Sequence, residues 1–309
     1  MVKKTTIVFV SILAAFSVLV IAAVGFLSFT IGGDDAGGIS MGSGKIALIP
    51  VKGIITTQSV SGYFGQAQAT SNDIVDWIEQ ADNDPRVRGI IFEINSPGGS
   101  PVASDEIAQA IENSEKVTVA WIRDTGASGA YWIASSCDQI IANRMSITGS
   151  IGVISSYLEF SGLLDDYNVT YTRLVAGKHK DIGSPFKELT SVEERHWQAQ
   201  IDQMHDLFIE QVAENRGMTT EQAEELATGL FYTGLNAKEN GLVDALGGKQ
   251  EAIGYIERVE GIEASIVEYK KQPSFLEVLA GALYKGNFYL GRGLGYEISD
   301  SAAPQALLV

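Results

Sequence analysis

The chain has 309 residues, and its 38 acidic residues outnumber its 22 basic ones, which gives a formal net charge of −16. So negative a surface argues against nucleic-acid binding, because that binding depends on lysine and arginine neutralising phosphates. Cys137 is the only cysteine, which excludes an internal disulfide and a cysteine-based metal cluster. The three histidines are scattered along the chain and suggest no metal site.

The N-terminus begins with MVKK and continues with an uncharged, mostly apolar run over residues 5–33. A helix rises ~1.5 Å per residue, so about 25 apolar residues span the hydrocarbon layer of roughly 30 Å. A cleaved signal peptide is the alternative, but its apolar core is usually about 7 to 15 residues long. We therefore predict an uncleaved transmembrane anchor. Because Lys3 and Lys4 precede the run, residues 1–4 are predicted to form a cytoplasmic stub, with the rest of the chain on the other side of the cell membrane.

Residues 34–44 are rich in glycine and serine and predict a flexible linker. Apolar runs typical of strands then alternate with helical patterns through residue 175, with the later strands expected at residues 139–142, 148–155 and 169–175. This alternation favours an α/β core in which helices cover a parallel sheet.

From Ser191 the pattern becomes helical as far as Gly217, and a capping box at Thr219 and Gln222 begins a further helix. The core is expected to occupy residues 45–272. Residues 273–309 carry an apolar stripe and a small-residue end, and predict an amphipathic segment and tail.

Two glycine-rich turns, NSPGGSP (95–101) and TGASGA (125–130), each follow a predicted strand. Because successive parallel strands end at the same edge of a sheet, both turns are expected to open into one crevice. Ser128 sits among small residues just before a helix, where unpaired backbone N–H groups favour developing negative charge. That setting suits a nucleophile whose attack creates an oxyanion. A serine that caps a tightly packed helix explains the same residues equally well.

A nucleophilic serine needs a base, and the nearest candidates downstream are His179 and Lys180 in AGKHKDIGSP. Histidine has the natural pKa for this task. A lysine ordinarily has a pKa of about 10.4 and must be desolvated to lose its charge at neutral pH. The small and apolar neighbours Gly177, Ile182 and Gly183 could enclose such a lysine. These residues alone leave the choice of base open.

Five motifs, SPGGS, GASGAYWIA, TGSIGV, GKHKDIGSP and YTGLNAKENGLVDALGG, resemble in this order the single-domain form of signal peptide peptidase A. The resemblance covers residues 46 to about 250. The family consists of serine peptidases with a Ser–Lys dyad, on the fold shared with Clp protease and crotonase. The resemblance therefore implies a Clp protease/crotonase-like α/β peptidase domain over residues 45–272.

The resemblance also implies roles for individual residues. Ser128 matches the family's nucleophile and Lys180 its general base, while Ser150 matches the serine that orients the lysine amine. The backbone N–H of Gly99 falls at the oxyanion-hole position. Ala130 departs from the glycine of many members and leaves the dyad intact. Such a mechanism needs no metal and no cofactor.

The implied activity is that of a membrane-anchored serine endopeptidase that degrades cleaved signal peptides. The family further implies a ring-like homo-oligomer in which the dyad is completed between subunits. Besides peptides and further copies of itself, the expected partner is the lipid bilayer, through residues 5–33. The C-terminal segment, residues 273–309, could lie over the bilayer or in the cleft.

Three alternatives remain open. One is a Ser-His-Asp hydrolase that uses Ser128, Asp165 or Asp166, and His179. Another is a related membrane protease that trims a neighbouring membrane protein. The third is a catalytically idle membrane scaffold of the same fold.

Overall fold

The protein is described here by a computed structural model over residues 43–59 and 68–270. The predicted anchor at residues 5–33 and the C-terminal segment from residue 273 lie outside these ranges. Within them, no helix is both long and apolar enough to cross a membrane. The anchor therefore stays a prediction.

Strands and helices alternate through most of the described chain. The strands are β1 (Ser43–Lys52), β2 (Ile54–Thr56), β3 (Gln68–Thr70), β4 (Val87–Ser96), β5 (Val117–Ala127), β6 (Gln139–Ala142), β7 (Ile147–Gly149), β8 (Phe231–Thr233), β9 (Ala245–Leu246) and β10 (Glu263–Glu268). The helices are α1 (Ser71–Asn83), α2 (Pro101–Glu112), α3 (Gly129–Ser135), α4 (Ser161–Asp166), α5 (Ser191–Arg216), α6 (Thr220–Leu226), α7 (Gly234–Glu239) and α8 (Lys249–Glu260).

The main sheet has the strand order β10-β1-β4-β5-β6-β9. Neighbouring strands from β1 to β9 in this order run parallel. Strand β7 pairs in parallel with the end of β5, and β8 pairs antiparallel with β7. The predicted α/β core with a largely parallel sheet is confirmed.

Both faces of the sheet are covered, which explains why its central strands read as continuous apolar runs. In β4, Ile90 and Phe92 belong to one buried cluster, which includes apolar residues of α1, α2, α3 and α5. Ile91, between them, belongs to a second cluster with Ala252 and Ile256 of α8. Successive side chains of a strand point to opposite faces, so each face has its own core.

Several predicted ends of elements are confirmed. Helix α5 ends at Gly217, whose φ of 61° is the left-handed conformation that glycine adopts readily at a helix end. Helix α6 begins with the expected capping box of Thr219 and Gln222. Helix α1 is capped by Thr70, whose hydroxyl accepts a hydrogen bond from the Asp73 N–H.

The segment from residue 150 to residue 190, here called the arm, differs from the prediction. The strand expected at 148–155 is limited to β7, and the one expected at 169–175 is absent. An alternating sequence forms a strand only where a neighbour accepts its backbone hydrogen bonds, and no described strand lies beside residues 169–175. The arm instead leaves large apolar side chains exposed, among them Ile154 at 92% and Leu174 at 91%.

Candidate active site

Ser128 lies between β5 and α3 in an unusual backbone conformation, with φ 54° and ψ −127°. Residues other than glycine rarely have positive φ, and such strain concentrates at functional sites. The conformation is held by hydrogen bonds from Ser128 N to Gly149 O, at 2.8 Å, and from Tyr131 N to Ser128 O, at 2.8 Å. The Ser128 hydroxyl makes no capping hydrogen bond. The Ser128 side chain therefore does not cap helix α3. Of the alternative explanation, a serine that caps a tightly packed helix, only the tight packing remains.

The glycines around Ser128 are required by close packing. A Cβ on Gly99 would lie 2.1 Å from the Ile55 carbonyl oxygen, and one on Gly129 would lie 2.3 Å from Ser104 Oγ. Gly98 has a φ of 100°, and its Cβ would lie 2.9 Å from that of Ser128. Tight packing and an uncommitted hydroxyl thus occur together at this turn.

The two glycine-rich turns open into one cavity, as predicted. It has a volume of about 480 Å³. The lining residues are Gly99, Pro101, Val102, Asp105, Ser128, Gly129, Trp132, Gly152, Val153, Ile154, Met204, Leu207, Phe208 and Gln211. Most of these side chains are apolar, and the rings of Trp132 and Phe208 stack with their centroids 4.7 Å apart. Such a wall suits an apolar side chain of a ligand.

The turn that contains Gly99 is fixed against β2. Ile55 N donates to Gly98 O at 3.0 Å, and Ser100 N donates to Ile55 O at 2.9 Å. These two bonds flank Gly99, whose own N–H donates no hydrogen bond within the described residues. An unbonded backbone donor on the wall of the cavity that holds Ser128 is what an oxyanion site requires.

Ser150 follows β7 next to this turn. Gly149 pairs with Ala127 in the sheet, so Ser128 and Ser150 come directly after paired residues. Ser150 also has a positive φ, 50°, and its hydroxyl donates to Gly229 O at 3.2 Å. The single chain therefore brings together Gly99, Ser128 and Ser150.

Lys180 is not among the residues that line the cavity. It lies in a turn between Gly177 and Gly183, both of which have a positive φ. Its backbone N–H donates to Gly177 O at 3.1 Å. Its side chain is exposed, and within residues 43–59 and 68–270 its Nζ makes no hydrogen bond or ion pair. The neighbours that were expected to enclose this lysine do not bury it in a single chain.

The side chain of His179 faces the carboxylate of Glu193, a residue that the sequence motifs did not indicate. Its Nδ1 lies 3.2 Å from Oε1 of Glu193, which is 2% exposed. Lys187 also pairs with Glu193, at 2.9 Å. Hydrogen bonds from the Thr190 N–H and from Lys187 lower the pKa of Glu193 to about 2. The capping-box spacing of Thr190 and Glu193 at the start of α5 is the sequence signal that could have identified this residue.

The arrangement defines a class of protein: an α/β protein with a strained serine at the end of a parallel strand, beside an apolar cavity and a backbone N–H that has no partner among the described residues. The comparison with known families is more specific. The sequence profile of peptidase family S49 matches residues 110–263. Together with the relatives described next, this match shows that the chain belongs to peptidase family S49, a family of proteases.

Two relatives align with most of the chain. The putative protease MJ0651 of Methanocaldococcus jannaschii is 34% identical over 77% of this chain and 76% of its own length. The putative signal peptide peptidase SppA of Enterococcus faecium is 34% identical over 73% of this chain and 67% of its own length. The resemblance to signal peptide peptidase A is thereby confirmed.

A solved structure of the 1510-N membrane-bound stomatin-specific protease, a lysine-to-alanine mutant in complex with a substrate peptide, is also similar. It is 19% identical and covers 78% of this chain and 98% of its own, with a TM-score of 0.49. That similarity is too low to bear on function.

Proposed function

We propose that this protein is a membrane-anchored serine endopeptidase with a Ser128–Lys180 dyad, and that its substrates are cleaved signal peptides. The observation that carries the proposal is the setting of Ser128. Its strained backbone presents to an apolar cavity a hydroxyl that caps no helix, beside the N–H of Gly99, and neither group has a hydrogen-bond partner in the part of the chain that the structure describes.

In the proposed reaction, the neutral amine of Lys180 takes the proton of Ser128 Oγ as that oxygen attacks the substrate carbonyl. The tetrahedral oxyanion accepts a hydrogen bond from the Gly99 N–H. The intermediate then collapses: the C–N bond breaks, the Lys180 ammonium gives its proton to the leaving amine, and an acyl-enzyme on Ser128 remains. The neutral amine of Lys180 next takes a proton from the water that hydrolyses this ester, and returns it to Ser128 Oγ. Ser150 orients the lysine amine. These steps call for neither a metal nor a cofactor.

The base is proposed to come from a neighbouring subunit of a ring-like homo-oligomer. Two features of the arm support this. Lys180 is exposed and lies outside the set of residues that line the cavity. The same arm exposes Leu158 at 73%, Tyr167 at 74% and Leu174 at 91%, and several large apolar side chains exposed on one segment favour a site of association. A second copy that covers the arm would bury both the apolar side chains and the lysine.

Lys180 is preferred to His179 as the base because, in the motif GKHKDIGSP, it holds the position of the lysine base of signal peptide peptidase A. The rival Ser-His-Asp arrangement requires Asp165 or Asp166 beside this histidine. Within the described residues, Glu193 is the one carboxylate within ion-pair distance of His179.

The apolar cavity and the predicted anchor at residues 5–33 support signal peptides as substrates. A signal peptide is rich in apolar side chains, which the wall of Val102, Trp132 and Met204 accepts. An anchor with the N-terminus in the cytoplasm holds the peptidase domain at the extracytoplasmic face of the cell membrane, where such peptides remain after cleavage. The C-terminal segment, residues 273–309, is proposed to lie over the bilayer or in the cleft.

The proposal is tested with the full-length chain in detergent, by hydrolysis of a peptide amide that carries a leucine side chain before the scissile bond. Ser128→Ala and Lys180→Ala should each lower kcat by about 10³-fold or more, as removal of a dyad member does. His179→Ala is the matched control and should retain activity within about tenfold. Activity lost in His179→Ala but retained in Lys180→Ala would support the Ser-His-Asp alternative.

The same full-length protein in detergent also distinguishes the other two alternatives, the idle scaffold and the trimming protease. A wild-type protein without hydrolytic activity on any peptide would support an idle scaffold. Cleavage of a membrane protein in preference to a synthetic signal peptide in the same micelles would support the trimming protease.

A further inference from the structure

Lys180 lies between two residues whose side chains are held by other charged groups, while its own side chain is not. Asp181 accepts hydrogen bonds from Arg173, at 2.5 Å from Nε and 2.8 Å from Nη2. On the other side, His179 faces Glu193. Lys180 is exposed and has no ionic partner within the described part of the chain. Within the arm, Asp181 is thus paired with Arg173 and not with Lys180, its neighbour in the sequence.

The pair of Arg173 and Asp181 is fixed at several points. Asp181 is 11% exposed, and the hydrogen bond from Arg173 lowers the pKa of its carboxyl. Nη2 of Arg173 also donates to the carbonyl oxygen of Lys178 at 2.8 Å, which ties the guanidinium to the backbone of the turn. Lys187 Nζ lies 3.9 Å from Asp181 and adds a second positive charge. Both cationic partners of the Asp181 carboxylate, Arg173 and Lys187, therefore belong to the arm.

This separation matters for the chemistry of a base. A carboxylate within about 4–6 Å of an amine favours the charged ammonium, and an ammonium has no lone pair with which to accept the serine proton. Asp181 directly follows Lys180, which makes it the nearest carboxylate to that lysine along the chain.

We propose that Arg173 is a positioning residue for the base: by holding Asp181 in a two-point ion pair, it keeps that carboxylate from pairing with the Lys180 amine. The proposal rests on the proposed function, since it has a catalytic consequence only if Lys180 is the base. Arg173 itself contacts neither the cavity nor Ser128.

The test is the pH dependence of kcat/KM in the full-length enzyme. Arg173→Met keeps an unbranched side chain but removes the charge and the donors. Asp181 then keeps only Lys187, at 3.9 Å, as a cationic neighbour and becomes available to the Lys180 ammonium, so the acid limb of the profile should move to higher pH by about one to three units. In the double variant Arg173→Met/Asp181→Asn no carboxylate is left to pair, and the limb should return towards its wild-type position.

Arg88→Met is the matched control. Arg88 pairs with Glu260 at 2.6 Å, at the beginning of β4 and far along the strand from the catalytic edge. Loss of the Arg88 side chain should leave the acid limb of the kcat/KM profile at its wild-type pH. If Arg173→Met does not fold, Arg173→Lys keeps one charge and should give a smaller shift in the same direction.

The outcomes separate the two proposals. If Lys180→Ala abolishes activity but Arg173→Met lowers it equally at every pH, Arg173 only supports the fold and the inference is wrong. A shift that persists after Asp181→Asn overturns it as well. Activity that survives Lys180→Ala contradicts the proposed function and, with it, the inference.

Discussion

The backbone N–H of Ser128 donates to the carbonyl oxygen of Gly149 at 2.8 Å, and this bond joins the turn after β5 to the end of β7. It places Ser150, the next residue after Gly149, beside the proposed nucleophile. It also helps to hold Ser128 at a positive φ, which its own side chain disfavours. The geometry of the site is thus set by a contact between residues 21 positions apart, where two strands of one sheet end together.

Gly99→Ala should strongly reduce activity. The added Cβ would lie 2.1 Å from the Ile55 carbonyl oxygen, a backbone atom that is held by Ser100 N and cannot move cheaply. The turn must shift, and the Gly99 N–H shifts with it. Loss of one oxyanion donor typically lowers kcat by about 10²–10³-fold. Steady-state kinetics on the peptide amide measure the effect.

Gly254→Ala is the matched control for that substitution. Gly254 lies inside α8, and a Cβ there would have nothing within 4 Å. Alanine should stabilise the helix by about 0.5–1 kcal/mol and leave kcat unchanged. Equal kinetics for Gly99→Ala and wild type would remove Gly99 from the oxyanion site.

Two inactive variants should restore activity when they assemble together. If the dyad is completed between subunits, a Lys180→Ala subunit supplies Ser128 and a Ser128→Ala subunit supplies Lys180. Random mixing of equal amounts gives roughly one intact dyad in four sites of a cyclic assembly. Co-expression of the two variants with different affinity tags, followed by tandem purification and a peptidase assay, measures this recovery.

Ser128→Ala co-expressed with a second, differently tagged copy of Ser128→Ala is the control and should stay inactive. Absence of recovery in mixed assemblies that contain both tags would mean that the dyad forms within one chain. Leu174→Asp, which places a charge on the exposed arm, should prevent assembly and recovery together.

Stability should fall in acid through Glu193. The pKa of this carboxyl is about 2 in the folded chain, against an ordinary value of 4.5, because Thr190 and Lys187 stabilise its charged form. A group whose pKa is lowered by folding stabilises the protein above its unfolded-state pKa, and this contribution is lost as the pH falls towards the folded-state value. The free energy of unfolding should therefore decrease between about pH 5 and pH 2.

Glu193→Gln should flatten this part of the pH dependence, since the amide does not titrate. Glu79→Gln, which removes an exposed carboxylate on α1, should keep the wild-type slope. Denaturant unfolding followed by circular dichroism at several pH values compares the three proteins. Identical slopes for Glu193→Gln and wild type would show that Glu193 does not contribute.

The arm is where sequence reasoning failed, and the reason is physical. Residues 169–175 alternate in the way that a strand does, but alternation records only which side chains are apolar, not whether a neighbouring strand exists. In the described structure the apolar side chains of the arm, such as Tyr167 and Leu174, are exposed. Alternation alone therefore did not predict the structure here, because no described strand lies beside these residues.

The sequence by itself determined the alternating α/β core, the small residues around Ser128 and the membership of peptidase family S49. These depend on local periodicity, on residue size and on motifs, all of which are written along the chain. Only the tertiary structure decided that Gly99 and Ser128 share one cavity wall with an unused N–H and an unused hydroxyl. It also decided that His179 and Asp181 are held by Glu193 and Arg173, while Lys180 has no ionic partner among the described residues. Such choices depend on which charges and carbonyl oxygens meet in space, and no spacing along the chain specifies that.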